Sequence, residues 1–245
     1  MPEASKIRSL FAGISARYDL INRILSFGID RSWRLRAVRA VRDAATGDAV
    51  LDLCCGTGDL SLALARGGLR VTGADFCHEM LVIGRAKSSR RNERVELIAA
   101  DALKLPFSDA TFAGATVAFG VRNLEDLDAG LAEIQRVLKP GAPLAVLEFG
   151  RPRGAVTGPL YTLYLNAFVP VAGRMISGSR EAYEWLSSSI QAFPDQAAFP
   201  RRLERAGFTS VRVEELTFGI AALYVGRKAS VSPPPPSRAT APPRS

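Results

Sequence analysis

A glycine turn and several acidic residues follow apolar runs at positions where strands would end. Residues 50–60 read VLDLCCGTGDL, which is an apolar run followed by a Gly-Thr-Gly turn. Asp75 follows the next apolar run, and Asp101 with Ala102 follows the one after it. Because parallel strands end at the same edge of a sheet, where such sheets bind ligands, this order predicts one small-molecule site.

The chemistry of the turn favours a ligand without phosphate. A dinucleotide site has a third glycine where this chain has Ser61. Asp59 adds a negative charge near a helix N-terminus, where it competes with phosphate. Acids around the turn suit a cofactor that carries an ammonium and a sulfonium cation. We therefore predict that Gly56, Thr57 and Gly58 hold S-adenosylmethionine (SAM).

The acidic residues fit the nucleoside part of the same cofactor. Asp75 is positioned to accept hydrogen bonds from both ribose hydroxyls. Asp101 can accept one from the exocyclic amine of adenine, with Ala102 beside it. Asp52, at the end of the first strand, is expected at the same edge. As caps or turn residues these acids would be unremarkable one by one, but their order along the chain favours a nucleoside site.

Strands and helices alternate after residue 48, which predicts a mostly parallel sheet with crossover helices. The predicted strands are 49–53, 70–74, 95–99, 114–119, 144–149, 211–216 and 220–227. The predicted helices are 59–66, 78–90, 124–138 and 196–206. The last two strands are joined by a short turn and must therefore be antiparallel. The fold class is α/β, with a seven-stranded sheet.

The segments outside this alternation are decorations of one expected domain, residues 1–228. Residues 5–45 have apolar side chains at helical spacing and are predicted to form one or two helices. Residues 151–195 form an insertion rich in aromatic and aliphatic residues. Residues 229–245 contain six prolines and no aromatic residue, and are expected to be disordered.

Charge and cysteine content narrow the functional class. The formal net charge is +8, and residues 1–45 contain nine Lys or Arg against four acids, so that a solvated helix face and contact with an anionic surface are both open. A lone histidine and three cysteines, two of them adjacent, show no zinc-binding spacing, and we expect no metal. Without an apolar run long enough to span a bilayer or a signal-peptide pattern, a cytoplasmic protein is expected.

The motif order resembles class I SAM-dependent methyltransferases, which have a Rossmann-like fold. Further stretches are similar to the C-methyltransferases of menaquinone and ubiquinone biosynthesis, a resemblance that covers about residues 5–228. One departure is Cys54, where the common motif has glycine. The stretches that carry the resemblance are RYDLINRILSFGIDRSWR, LDLCCGTGD, FGVRNLED, RVLKPGAPLAVLEF, PDQ, AGF and LTFGIAALYVG.

The resemblance implies methyl transfer to a ring carbon of a polyprenylated hydroquinone, with Arg122, Asn123 and Tyr18 beside this substrate. The ring carbon becomes nucleophilic when the neighbouring hydroxyl ionises, and a phenol has a pKa of about 10. A nearby guanidinium lowers that pKa, which is the role predicted for Arg122, while Asn123 orients a hydroxyl. The alternative is that Arg122 pairs with Glu125 or Asp126 on a helix surface.

Several functions remain open on sequence alone. Methylation of demethylmenaquinol leads, and the matching benzoquinol step of ubiquinone synthesis is close to it. RNA methylation or SAM binding without catalysis would be of another class, and a nicotinamide oxidoreductase is least favoured. A prenyl chain needs an apolar channel, so residues 5–45 and 160–176 are expected to cover the site and meet an anionic membrane. We expect no nucleic-acid partner, and the sequence does not give the oligomeric state.

Overall fold

The structure is a computed structural model that describes residues 4–43, 45, 49–152, 154–168 and 180–230. Most of the tail expected to be disordered, and part of the insertion that was expected to cover the site, lie outside these residues.

A seven-stranded sheet forms the centre of the protein, as the alternation predicted. The strand order is β3-β2-β1-β4-β5-β7-β6. Strand β7 runs antiparallel to both of its neighbours, whereas the pairs from β3 to β5 are all parallel. The strands are β1 (Ala49–Leu53), β2 (Arg70–Asp75), β3 (Val95–Ala99), β4 (Gly114–Ala118), β5 (Pro143–Phe149), β6 (Phe208–Leu216) and β7 (Ala221–Lys228). Strand β6 begins earlier than predicted because a bulge between Thr209 and Arg212 breaks its alternation.

Helices cover both faces of the sheet. They are α1 (Ala4–Ile14), α2 (Tyr18–Leu25), α3 (Asp30–Arg42), α4 (Asp59–Arg66), α5 (His78–Arg91), α6 (Leu127–Val137), α7 (Thr157–Leu163), α8 (Arg180–Ala192) and α9 (Ala198–Arg205). Helix α6 begins later than predicted because Val121–Asn123 form a 3₁₀ turn. Asp126 caps α6, since its carboxylate accepts a hydrogen bond from the Ala129 N–H at 2.9 Å.

The N-terminal region contains three helices, where one or two were predicted. Phe27 and Gly28, both at positive φ, form the turn that separates α2 from α3. Helix α3 packs Trp33, Ala37 and neighbouring apolar residues against one face of the sheet. Helices α1 and α2 instead lie near the carboxyl ends of the central strands. This arrangement leaves α1 and α2 as a cover over that edge of the sheet.

The insertion completes the cover from the other side. Helix α7 continues as a π-helical turn, Tyr164–Phe168. Leu10 and Ile21 of the N-terminal helices pack with Tyr161 of α7 and Ile190 of α8 in one buried cluster. The two segments outside the strand–helix alternation therefore form one apolar unit, which explains why both are rich in aliphatic and aromatic side chains.

Candidate active site

Two adjoining pockets open at the carboxyl ends of the strands. The first has about 800 Å³ of space between the ends of the central strands and α1–α2. The second has about 960 Å³ and lies beneath α2, α7 and α8, with a mostly apolar wall. Phe11, Tyr18 and Phe119 line both pockets. The two pockets therefore share a wall that these three side chains form, so ligands in the two pockets would lie next to each other.

Gly56 lines the first pocket, and its backbone N–H is held by Asp75. The Gly56 N–H donates to Asp75 Oδ2 at 2.7 Å, and the Cys77 N–H donates to Asp75 Oδ1 at 2.9 Å. Gly56 has φ of +53°, and a β-carbon there would stand 4.0 Å from the Tyr18 ring. Glycine therefore allows the left-handed conformation of the turn and leaves the space beside Tyr18 free of a side chain. Burial raises the pKa of Asp75, although these backbone donors oppose the shift.

The other nucleoside residues also line this pocket. Asp101 and Ala102 follow β3 and stand in its wall with Gly56 and Asp75. The Asp101 carboxylate accepts from the Leu103 N–H at 2.9 Å and is otherwise exposed. Four of the predicted cofactor residues are thus brought together.

Thr57 and Gly58 lie beyond Gly56 in the turn, and Thr57 lines a third pocket described below. In the described part of the chain they are not in the wall of the first pocket. Gly58, at φ of +79°, begins helix α4. The Thr57 hydroxyl donates to Asp19 Oδ1 at 2.5 Å and accepts from Lys87 Nζ at 2.9 Å. Thr57 therefore joins the glycine turn to α2 and α5.

Asp52 is buried beneath the turn instead of facing the first pocket. Its carboxylate accepts from the Ser61 hydroxyl at 2.5 Å and the Thr116 hydroxyl at 2.7 Å. Burial raises its pKa to about 6, against the effect of these two donors. The side chain that occupies the third-glycine position of dinucleotide sites, Ser61, thus anchors the first strand to α4.

A third, smaller pocket of about 390 Å³ extends from the first at Tyr18 and Gly56. Arg34 and Asp59 stand in its wall with Thr57. Arg34 was not predicted, because an arginine in a basic helix carries no signal beyond a solvated face. In the structure its side chain is only 12% exposed and pairs with Asp30.

Asp59 carries a compensated charge. Lys87 Nζ lies 2.8 Å from Asp59 Oδ1 and also pairs with Asp19. Burial disfavours the charged form of Asp59, but the Lys87 ammonium outweighs it and lowers its pKa. Asp59 therefore opposes a phosphate less than the sequence suggested, because the Lys87 ammonium offsets its negative charge.

Arg122 forms a buried ion pair with Glu148. Its Nη1 lies 2.7 Å from Oε1 of Glu148 at the end of β5 and also donates to the Phe119 carbonyl. The side chains of Arg122 and Glu148 are 5% and 0% exposed. The expected alternative, a surface pair with Glu125 or Asp126, is therefore wrong. Arg122 lines the second pocket, with its guanidinium 5.2 Å from the centroid of the Phe149 ring.

Asn123 lines the first pocket, so it stands on the other side of the junction from Arg122. Its Oδ1 accepts from the indole N–H of Trp185 at 3.1 Å. Trp185 belongs to α8 and lines the second pocket. Helix α8 thereby fixes the orientation of the amide, a link across 62 positions that no local pattern could reveal.

The two cysteines near the turn lie in surroundings that favour the neutral thiol. Burial, reinforced by Asp75 and Asp52, raises the pKa of Cys54 and Cys55 well above the ordinary value. The described residues contain no group of three or more His, Cys, Asp or Glu side chains that could hold a metal ion.

Comparison with known proteins first defines the class. A solved SAM-dependent methyltransferase from Thermotoga maritima, described as a possible histamine N-methyltransferase, superposes with a TM-score of 0.61 over 90% of this chain and 98% of its own, at 18% identity. At that identity the likeness shows the fold, which is the Rossmann-like fold of SAM-dependent methyltransferases.

The sequence then gives the family. Residues 2–228 match the ubiE/COQ5 methyltransferase family, and the chain belongs to it. The demethylmenaquinone methyltransferase of Thermus thermophilus is 47% identical over 89% of this chain and 99% of its own length. That of Mycobacterium marinum is 42% identical over 91% of this chain and 93% of its own. The resemblance found in the motifs is therefore confirmed.

Proposed function

We propose that the protein transfers a methyl group from SAM to a ring carbon of demethylmenaquinol and so forms menaquinol. The observation that carries the proposal is the pair of adjoining pockets. One is lined by a glycine turn and acids, and the other is apolar with a buried arginine in its wall. The names of the relatives at 47% and 42% identity support the same reaction.

The first pocket fits the nucleoside of SAM. Each Asp75 oxygen receives one backbone N–H and retains lone pairs for a ribose hydroxyl. Asp101 has free carboxylate capacity for the adenine amine. Arg34 lines the third pocket, so in this proposal the amino-acid part of SAM lies there with its carboxylate near the Arg34 guanidinium. When bound, SAM supplies the electrophilic methyl group.

Arg34→Met should weaken SAM binding about 10- to 100-fold, the range expected for loss of one charge-assisted hydrogen bond. Methylthioadenosine lacks the amino-acid carboxylate, so its affinity should change by less than about threefold. Titration calorimetry with both ligands measures the difference. Equal losses would mean that Arg34 supports the fold of the site and does not bind the carboxylate.

The second pocket fits a prenylated naphthoquinol. Its aromatic and aliphatic walls can take an isoprenoid chain, whose exposure to water costs about 0.8 kcal/mol per methylene. Arg122 stands in this wall, and Tyr18 lies at the junction with the first pocket. A quinol ring at the junction would have its hydroxyl near a cation, which favours ionisation and makes the adjacent ring carbon nucleophilic. Because a guanidinium keeps its protons, water takes the hydroxyl proton in this scheme. After methyl transfer, with S-adenosylhomocysteine as the leaving group, the methylated ring carbon would lose its own proton and the oxygen would regain one, which restores the aromatic quinol.

The function is tested by the quinones of cells that lack the protein. Mass spectrometry should show accumulation of demethylmenaquinone, and purified protein with SAM should convert demethylmenaquinol to menaquinol. Accumulation of an unmethylated benzoquinol would assign the ubiquinone step instead. SAM binding without turnover on either quinol would indicate a binding protein, and methylated RNA would indicate the other class of enzyme.

A membrane-facing surface is the second part of the proposal. Exposed apolar side chains occur along α2, in the turn before α3 and along α7, a set we term the apolar corner; its residues are Leu20, Ile24, Phe27, Ile29, Val156, Leu160 and Leu163. The Tyr164 hydroxyl donates to the Leu25 carbonyl, so the two parts adjoin beside the second pocket. Exposed arginines at positions 17, 23 and 31 flank the corner. The described residues include no helix that is long and apolar enough to cross a bilayer, so contact would be peripheral.

The protein should bind anionic vesicles in a salt-sensitive way. Phe27→Ser and Leu160→Ser should each weaken binding about tenfold, because each removes a side chain that would enter the interface. Val82→Ser is the matched control, since Val82 is 51% exposed but lies on α5. Vesicle co-sedimentation gives the affinities. Equal recovery with neutral and anionic vesicles at low salt would refute membrane contact.

A further inference from the structure

Glu148 is a buried charge at the end of a buried strand. Strand β5 reads PLAVLEF, and Glu148 is its one charged residue. Its Oε1 receives both Arg122 Nη1 at 2.7 Å and the Phe149 N–H at 2.9 Å. Its Oε2 is buried with no hydrogen-bond partner among the described residues. The presence of a buried carboxylate here calls for an explanation, because removing one ion from water costs several kcal/mol.

The contacts of Arg122 determine which of its N–H groups a ligand can reach. Nη1 has two hydrogens, and the Phe119 carbonyl and Glu148 take both. The Nε–H is buried and has no partner in the described part of the chain. The guanidinium is planar, so fixing Nη1 also fixes the direction of Nε and Nη2. Nε is out of reach of the second pocket because it has no accessible surface, so Nη2 is the donor that a ligand there can use.

Glu148 also affects the charge that a ligand experiences. An ionised carboxylate 2.7 Å from the guanidinium cancels much of its positive potential. Burial raises the pKa of Glu148, while Arg122 opposes that shift. In the described part of the chain, the titratable groups that interact electrostatically with this pair include Tyr18, Cys54, Tyr161 and Tyr224. The wall of the second pocket also contains Asp30, Arg34 and Tyr164.

We propose that Glu148 is the positioning residue for Arg122: it holds Nη1 so that Nη2 points to the quinol hydroxyl, and it moderates how strongly that hydroxyl is ionised. The proposal rests on the proposed function. Glu148 does not stand in the wall of the second pocket and acts through Arg122. The orientation and the charge can be separated, since glutamine retains an acceptor oxygen without the negative charge and leucine retains neither.

Glu148→Gln separates charge from orientation. It should keep turnover at neutral pH within about threefold and shift the acidic limb of the pH profile of kcat to lower pH by about one unit, because the uncompensated guanidinium lowers the quinol pKa. Glu148→Leu should lower kcat about 100-fold with a smaller change in quinol KM. Calorimetry with SAM should give wild-type affinity for both variants, and melting temperatures identify any loss of fold.

A second readout does not require turnover. 1-Naphthol changes its absorption when it ionises, and its pKa when bound should be lower in Glu148→Gln than in the wild type by about one unit. A pH profile and a naphthol titration identical to the wild type in Glu148→Gln would overturn the proposal, as would kcat within threefold of wild type in folded Glu148→Leu. Absence of methylation by the wild type would instead remove the proposed function, while the naphthol titration would still test the effect of Glu148 on ionisation.

Discussion

Arg122→Ala is expected to lower kcat about a thousandfold while SAM binds with near wild-type affinity. The Arg122 guanidinium lines the second pocket, as does that of Arg34, and it can stabilise the ionised hydroxyl; such electrostatic groups contribute about 10²–10³ or more. SAM binding should persist because the first pocket is formed by other side chains, Asn123 included. Single-turnover kinetics and calorimetry give the two quantities. Unchanged turnover would remove Arg122 from the mechanism.

Stability must be controlled in this experiment. Arg122→Ala leaves the Glu148 carboxylate buried without its partner, and breaking a buried pair costs about 3–5 kcal/mol. The double variant Arg122→Met with Glu148→Gln removes both charges and should recover most of that free energy of unfolding. It should remain inactive, which separates loss of the cation from loss of the fold. Recovery of turnover in the double variant would contradict the assignment.

Gly120→Ala is expected to destabilise the protein by about 1–3 kcal/mol and to abolish most turnover. Gly120 has φ of −117°, so the backbone itself tolerates alanine. The obstacle is Cys54: a β-carbon at position 120 would collide with the Cys54 β-carbon and stand 2.9 Å from its Sγ. Overpacking of this size forces the backbone to move. The movement would displace the turn that carries Arg122 and Asn123, and chemical denaturation with steady-state kinetics would show both effects.

Cys54→Gly should rescue Gly120→Ala. Cys54 has φ of +54°, which is strained for a side-chain-bearing residue and relaxed for glycine. In the Cys54→Gly background alanine at 120 should cost less than about 1 kcal/mol, so the two substitutions should be strongly coupled. Additive effects in the four-member cycle would show that the pair does not interact. The coupling would also explain the departure from the glycine motif, since the space lost at 54 is recovered at 120.

Local pattern was enough to predict the frame of this fold. The apolar runs of β1 to β5 and the Gly56 turn are set by residues adjacent in sequence, and the short Thr217–Gly219 turn required the final antiparallel pair. The start of α6 was misplaced because Asp126 caps it after a 3₁₀ turn, while an apolar pattern extends further back. Boundaries depend on such caps more than on periodicity.

The site was only partly predictable because its decisive contacts join distant positions. Asp75 and Asp101 could be placed from the ends of strands. The pairing of Arg122 with Glu148 spans 26 positions, and the strand register alone brings them together. For Glu148 a signal existed: an acid inside an otherwise apolar strand is rarely buried without a function. For Arg34 there was none, since its burial depends on how α3 turns back over the sheet.

The segment that covers both pockets has a consequence for product release. Phe11 and Tyr18 belong to the same short stretch of chain and form part of both enclosures. Asp19, in the same segment, forms an ion pair with Lys87 and accepts a hydrogen bond from Thr57 of the glycine turn. If S-adenosylhomocysteine leaves past this segment, the same movement exposes the methylated quinol. We therefore expect one opening step to release both products.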